Sequence, residues 1–158
     1  MKKIILLLVM LGLLASSSLA MGISGVGVSP ITNTLAVPFL RLAIDSDRVL
    51  DLGVSYGVST ANVNTTTALA RFNTNFMSLG TTDIHWGLAL AYSTTSANTS
   101  SMTLDLNVGA ETKLNSNVAL FGDIHLVDYT TTTPAGTTNA YNLLTGPGVA
   151  NLGIMLYL

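Results

Sequence analysis

The most constraining feature of this chain is a strict two-residue alternation in which one face is aliphatic or aromatic and the other is small or charged. In "VLDLGVSYGVS", Leu50, Leu52, Val54, Tyr56 and Val58 share one face, and Asp51, Gly53, Ser55 and Gly57 the other. "DIHWGLALAYS" sets Ile84, Trp86, Leu88, Leu90 and Tyr92 against Asp83, His85, Gly87, Ala89 and Ala91. "MTLDLNVGAE" sets Met102, Leu104, Leu106 and Val108 against Thr103, Asp105, Asn107, Gly109 and Glu111. "NVALFGDIHLV" sets Val118, Leu120, Ile124 and Leu126 against Ala119, Phe121, Asp123 and His125. A period of two over such lengths is a β-strand signal.

A water-soluble sheet turns its apolar face to a core and its polar face to water. Here the polar face mixes glycine and alanine with single charges, which suits a narrow interior, and the other face is large and purely apolar. Each segment runs about ten residues, the length of a tilted strand crossing a bilayer. Lipid outside and a tight polar interior account for both faces.

Composition agrees. Charged residues are 9% of the chain, against about 25% in ordinary soluble domains, yet beyond residue 20 no apolar run is long enough for a membrane helix. The first twenty residues read as a signal peptide: Lys2 and Lys3, an apolar run from Ile4 to Leu14, then small residues to Ala20. The 11-residue run is too short to span. Residues 1-20 are therefore expected to be removed after Ala20 by a signal peptidase following passage through the secretion translocon. That leaves 21-158 as one outer-membrane β-barrel domain. This part carries four basic and eight acidic residues, a balance that argues against binding nucleic acid. There is no cysteine, hence no disulfide and no lipid anchor on one.

The alternation gives strands at 22–29, 35–44, 48–59, 66–77, 83–93, 101–112, 117–128 and 148–158. Connections at Asp45–Asp47, Ser78–Thr82 and Lys113–Ser116 are short, while 60–65, 94–100 and 129–147 are longer Ser/Thr/Asn loops. Short turns at one end and long loops at the other are the pattern of outer-membrane barrels. The expected fold is an all-β, eight-stranded antiparallel up-and-down transmembrane β-barrel. The closing segment "NLGIMLYL" then lies beside the first strand, leaving no edge open to lipid. Pro38, inside "AVPFLRLAI", predicts a bulge, because a closed barrel has no free edge for it.

"GIMLYL" resembles the terminal assembly signal of bacterial outer-membrane proteins, with Gly153, Leu156 and Leu158 at its alternating positions. Leu158 stands where that family usually ends in Phe or Trp. "LRLAIDSDRVLDLGVSYG" and "LDLNVGAETKLNSNVALFGDIHL" resemble strand–turn–strand units of small barrels of the outer membrane protein A/X type. The resemblance covers most of residues 21–158. It implies location in the cell outer membrane, contact with its lipid, and insertion by the barrel assembly machinery, as a monomer.

The expected interior polar network is Arg41, Asp51, Arg71, His85, Asp105, Glu111, Asp123 and His125, with Asn73, Asn107, Phe121 and Tyr157 also inward. Turn symmetry pairs Arg41 with Asp51. Symmetry about Asn115 pairs Asp105 with His125 and Asn107 with Asp123. Trp86 and Tyr92, on one outer face and six residues apart, are candidates for the two aromatic girdles. For chemistry, His125 beside Asp105 resembles half a catalytic relay, but no serine is placed beside it, and an interior polar pair is the preferred reading. No catalytic residues, cofactor or metal-ligand spacing are read from the sequence. The expected role is a non-enzymatic barrel serving envelope structure, surface interaction or at most slight permeation through a plugged interior. The alternatives are a lipid-modifying barrel enzyme and a secreted soluble β-sandwich.

Overall fold

The computed structural model describes residues 22–32, 35–58, 63–133, 138–143 and 150–158; the expected signal peptide lies outside them. The described residues form nine strands and no helix: β1 (Gly22–Thr32), β2 (Leu35–Ala43), β3 (Arg48–Val58), β4 (Asn64–Leu79), β5 (Thr82–Thr95), β6 (Ser100–Lys113), β7 (Val118–Thr133), β8 (Thr138–Leu143) and β9 (Ala150–Tyr157). Each strand from β1 to β7 pairs antiparallel with the next. β9 closes the ring, pairing with β7 on one side and β1 on the other. β8 pairs with the upper part of β7, in line with β9 on the same flank, so the two share the eighth position. The fold is therefore a closed eight-position up-and-down barrel. A β-sandwich is excluded, because a sandwich leaves edges and this sheet leaves none along its closed belt.

We call the end carrying the tight turns the lower end. There β2–β3 and β6–β7 are joined by four-residue connections, and β4–β5 by Gly80–Thr81 with Leu79 opposite Thr82. Gly80 takes φ +65°, the left-handed conformation a two-residue hairpin asks of its first central residue. At the upper end, Asn98 supplies the left-handed residue (φ 58°) of the β5–β6 connection, which asparagine tolerates better than most side chains.

Three strand expectations need correction. The loop read over 129–147 instead extends β7 to Thr133 and contains β8, with Tyr129 opposite Tyr141. Its β-branched threonines and tyrosines favour extended pairing over a loop. No bulge forms at Pro38; it sits opposite Val28 of β1, and the ladder to β3 ends one residue away at Phe39–Gly53. The end of a ladder accommodates its missing N–H. In β7 the alternation is interrupted, because Leu106 pairs with Val127 but Asn107 with His125. Leu126 is an extra residue, a β-bulge, so Val127 rather than Leu126 takes the exposed outer position.

The two faces are sorted as the alternation implies. Val26, Val54, Tyr56, Leu88, Leu104, Leu120, Ile124 and Ile154 stand exposed on the outside. Arg41, Asp51, Arg71, Asn73, His85, Asp105, Asn107, Glu111 and Asp123 are buried inside.

Candidate functional site in the barrel interior

The interior is organised around Asp51, which is completely buried. Arg41 lies directly opposite it on β2, and Arg71 directly opposite on β4. Arg41 reaches it in bidentate fashion, Nε to Oδ1 at 2.7 Å and Nη2 to Oδ2 at 2.9 Å. Arg71 donates to Oδ2 from Nη2 at 2.8 Å and Nε at 3.1 Å. The Arg41 pair is the fork-to-fork kind, the strongest guanidinium–carboxylate geometry, while both Arg71 donors converge on one oxygen.

From this hub the arginines reach across the lumen. Arg41 Nη1 donates to Glu111 Oε2 on β6 at 2.5 Å, and the Tyr157 hydroxyl on β9 donates to the other oxygen of Glu111. Arg71 Nη1 donates to Asp123 Oδ2 on β7 at 2.6 Å. Asp123 Oδ1 in turn meets His85 Nε2 of β5 at 2.8 Å. One continuous chain thus runs Tyr157–Glu111–Arg41–Asp51–Arg71–Asp123–His85. Buried charges cost several kcal/mol each unless paired and hydrogen-bonded, and each charge in this chain is both.

The expected pairings across β6–β7 are corrected by the register. Asn107 lies opposite His125 and Gly109 opposite Asp123, because the turn is centred on Ser116 rather than Asn115. Asp105 sits opposite Asp128, beyond the bulge, yet His125 Nδ1 still reaches Asp105 Oδ2 diagonally at 2.6 Å.

Against the ionic chain lies an apolar cluster that sequence reading only touched through Phe121. Phe39, Ala119, Phe121 and Met155 are buried together, with Tyr157 against them. The two phenyl rings meet edge to face at 5.8 Å. The Arg71 guanidinium lies 4.9 Å from the Phe121 ring centre and 5.2 Å from that of Phe39, a double cation–π contact. Alternation places Phe39 on Arg41's face and Met155 on that of Tyr157, so the signal was present. The rings fit because the wall has no side chain where they rest: a Cβ on Gly27 would lie 2.4 Å from Phe39, and one on Gly153 would lie 2.2 Å from Phe121.

The remaining sequence candidates are on the outer wall or at the seam. Trp86 is 42% exposed and packs edge to face with Phe72; Tyr92 is half-buried, opposite Ala68 and Met102. Leu156 and Leu158 are exposed, and Gly153 is the seat for Phe121. Tyr157 N–H donates to Asn117 and Leu158 N–H to Ser24, so β9 is held on both flanks to its end. Among the described residues, no three His, Asp or Glu side chains are grouped to hold a metal. The buried serine, Ser55, has no hydrogen-bond partner in the protein and so is not engaged by a histidine base.

A closed barrel with an apolar exterior and an ion-paired interior defines a protein inverted relative to a water-soluble one. No protein-family model matches the chain, and no curated protein matches it. Among solved structures, the crystal structure of Acinetobacter baumannii CarO is similar at TM-score 0.38 and 9% identity, over 85% of this chain and 96% of that one. That likeness is too slight to assign a family.

Proposed function

We propose that this protein is a non-enzymatic integral barrel of the bacterial outer membrane, with its lumen plugged by its own side chains. It serves envelope structure or surface contact rather than bulk transport. The observation that carries this reading is the inversion of polarity: large apolar residues cover the outside while the buried charges pair across the lumen. Eight strands leave an interior that side chains fill, whereas water-filled channels need about 16–18. Lipid is then the surrounding solvent, with Trp86 and Tyr92 at the two interfaces. Export uses residues 1–20, and the assembly machinery reads Gly153, Leu156 and Leu158. The Ser55 geometry, with His85 held on Asp123 and His125 on Asp105, favours a structural role for both histidines over a catalytic one.

Two measurements test this. The purified protein should need detergent and migrate differently on gels before and after boiling. In planar bilayers it should show only rare, small openings. A detergent-independent protein, or a steady large conductance from a monomer, overturns the reading.

A further inference from the structure

One group of interior side chains is left out of the ionic chain. Asn73 on β4 and Asn107 on β6 both lie opposite Gly87 of β5. Their amide oxygens lean together into the space a side chain there would occupy: a Cβ on Gly87 would sit 2.2 Å from Asn73 Oδ1 and 2.6 Å from Asn107 Oδ1. Both residues are buried, and neither oxygen accepts a hydrogen bond from any protein group. The same holds for Asp105 Oδ1, whose partner oxygen takes Asn107 Nδ2 at 3.2 Å and His125 Nδ1 at 2.6 Å.

A buried acceptor without a donor is destabilising, and here three occur on neighbouring side chains. Asp51, Glu111 and Asp123 each have an arginine; among the described buried carboxylates Asp105 is the exception. The buried interior sets two arginines, Arg41 and Arg71, against four carboxylates, and Asp105 meets only His125 and Asn107. A single water has only two protons to give to three acceptors. Hard cations take carboxylate and amide oxygens, completing their shell with water.

The geometry points to a site for a hard divalent cation of the calcium class, held by Asp105, Asn73 and Asn107. The wall toward the upper end offers a polar approach, with Thr67 bonded to Ser93 at 2.8 Å, Thr103 to Thr130 at 2.9 Å, and the Ser55 hydroxyl beside them. A single carboxylate makes the site weak, on the order of 10⁻⁴–10⁻³ M, the range of extracellular calcium modules.

The test uses the full folded protein in detergent, stripped with a chelator and titrated with calcium chloride at millimolar concentration. Equilibrium dialysis should find one calcium ion per barrel, and the urea midpoint followed by the single tryptophan should rise with calcium. Asp105→Asn should abolish both effects, and Asn73→Ala should weaken binding, while Asp47→Asn in the exposed lower turn should leave them unchanged. If Asp105→Asn does not fold, the neutral Asn73→Ala variant carries the test. Absence of binding overturns the site, as does equal binding in wild type and both variants. So does a stability loss in Asn73→Ala that is identical with and without calcium, because the two amides would then be serving each other.

Discussion

The β2–β3 and β6–β7 hairpins begin from the same turn and end differently. In one, Asp45 Oδ1 accepts from Asp47 N at 3.0 Å and Arg48 N at 2.8 Å; in the other, Asn115 Oδ1 accepts from Asn117 N and Val118 N, both at 2.8 Å. The closing bonds, Ile44 N to Arg48 O and Leu114 N to Val118 O, are both 2.9 Å. These are Asx turns in which the side chain completes what the backbone begins. Above them the β2–β3 ladder stops after five residue pairs, beside Pro38, while the β6–β7 ladder runs to fourteen and absorbs a bulge at Leu126. The turn therefore sets the starting register, and the residues further up decide how far it is kept.

The largest expected difference concerns the carboxylates. Asp51, in the first hairpin, is shared by two arginines, whereas Asp123, in the second, has one arginine and one histidine. Asp51→Ala should lower unfolding stability by about 3–5 kcal/mol, because it leaves buried guanidinium charge without its main partner. Asp123→Ala should cost less. Urea titrations of both variants, read by Trp86 emission, decide it; equal losses would mean the hub is not Asp51.

A smaller contrast concerns glycines. A Cβ on Gly109 would meet Gly122 O at 2.5 Å and Asp123 Oδ1 at 2.2 Å, within a continuous ladder that cannot yield. A Cβ on Gly53 would meet Pro38 O at 2.7 Å, just past the end of the β2–β3 ladder, where β2 is held by β1 alone. Gly109→Ala should cost about 1–3 kcal/mol, as overpacking does, and Gly53→Ala should fall below it. The reverse order in the same titrations would show that β2 is rigid above Phe39.

The smallest effect separates the turns themselves. Arg48 hydrogen-bonds the Asp45 carboxylate and, with the Asp47 N–H, holds its pKa below the usual carboxylate value. The charge-dependent part of its stabilisation is thus present above the unfolded carboxylate range and is lost as pH falls through the lowered folded value. Asn115 carries no such charge. Asp45→Ala should lose a little more stability near neutral pH than in strong acid, whereas the Asn115→Ala loss should not vary with pH. Folded fractions measured across pH 2–7, an interval set by the ordinary acid range, check this.

The same hairpins show why the fold was legible and part of the interior was not. Alternation alone sorts Leu50 from Asp51 and Leu106 from Asn107, because a strand has only two faces. The Arg41–Asp51 opposition follows from the short turn. The second register was missed by centring on Asn115, although "IDSD" and "LNSN" have the same turn chemistry and place the centre at Ser116. The bulge at Leu126 has no local marker, since it depends on what β6 presents to it. The aromatic cluster was missed for a different reason. Phe39 and Met155 are apolar residues on a face read as polar, and only the bare walls at Gly27 and Gly153 explain how they fit.

The ionic chain also has a mechanical meaning. Arg41 on β2 and Glu111 on β6 stand on opposite sides of the eight-position ring, so their bond acts as a spoke across the full diameter. The Arg71–Asp123 pair is a second spoke, from β4 to β7. Higher up, the Thr67–Ser93 and Thr103–Thr130 bonds join only adjacent strands, like links in a hoop. A spoked rim resists being squeezed into an oval, whereas a bare hoop does not. Lateral pressure on the wall is therefore resisted at the lower end, and the compliance of the wall is concentrated toward the upper mouth.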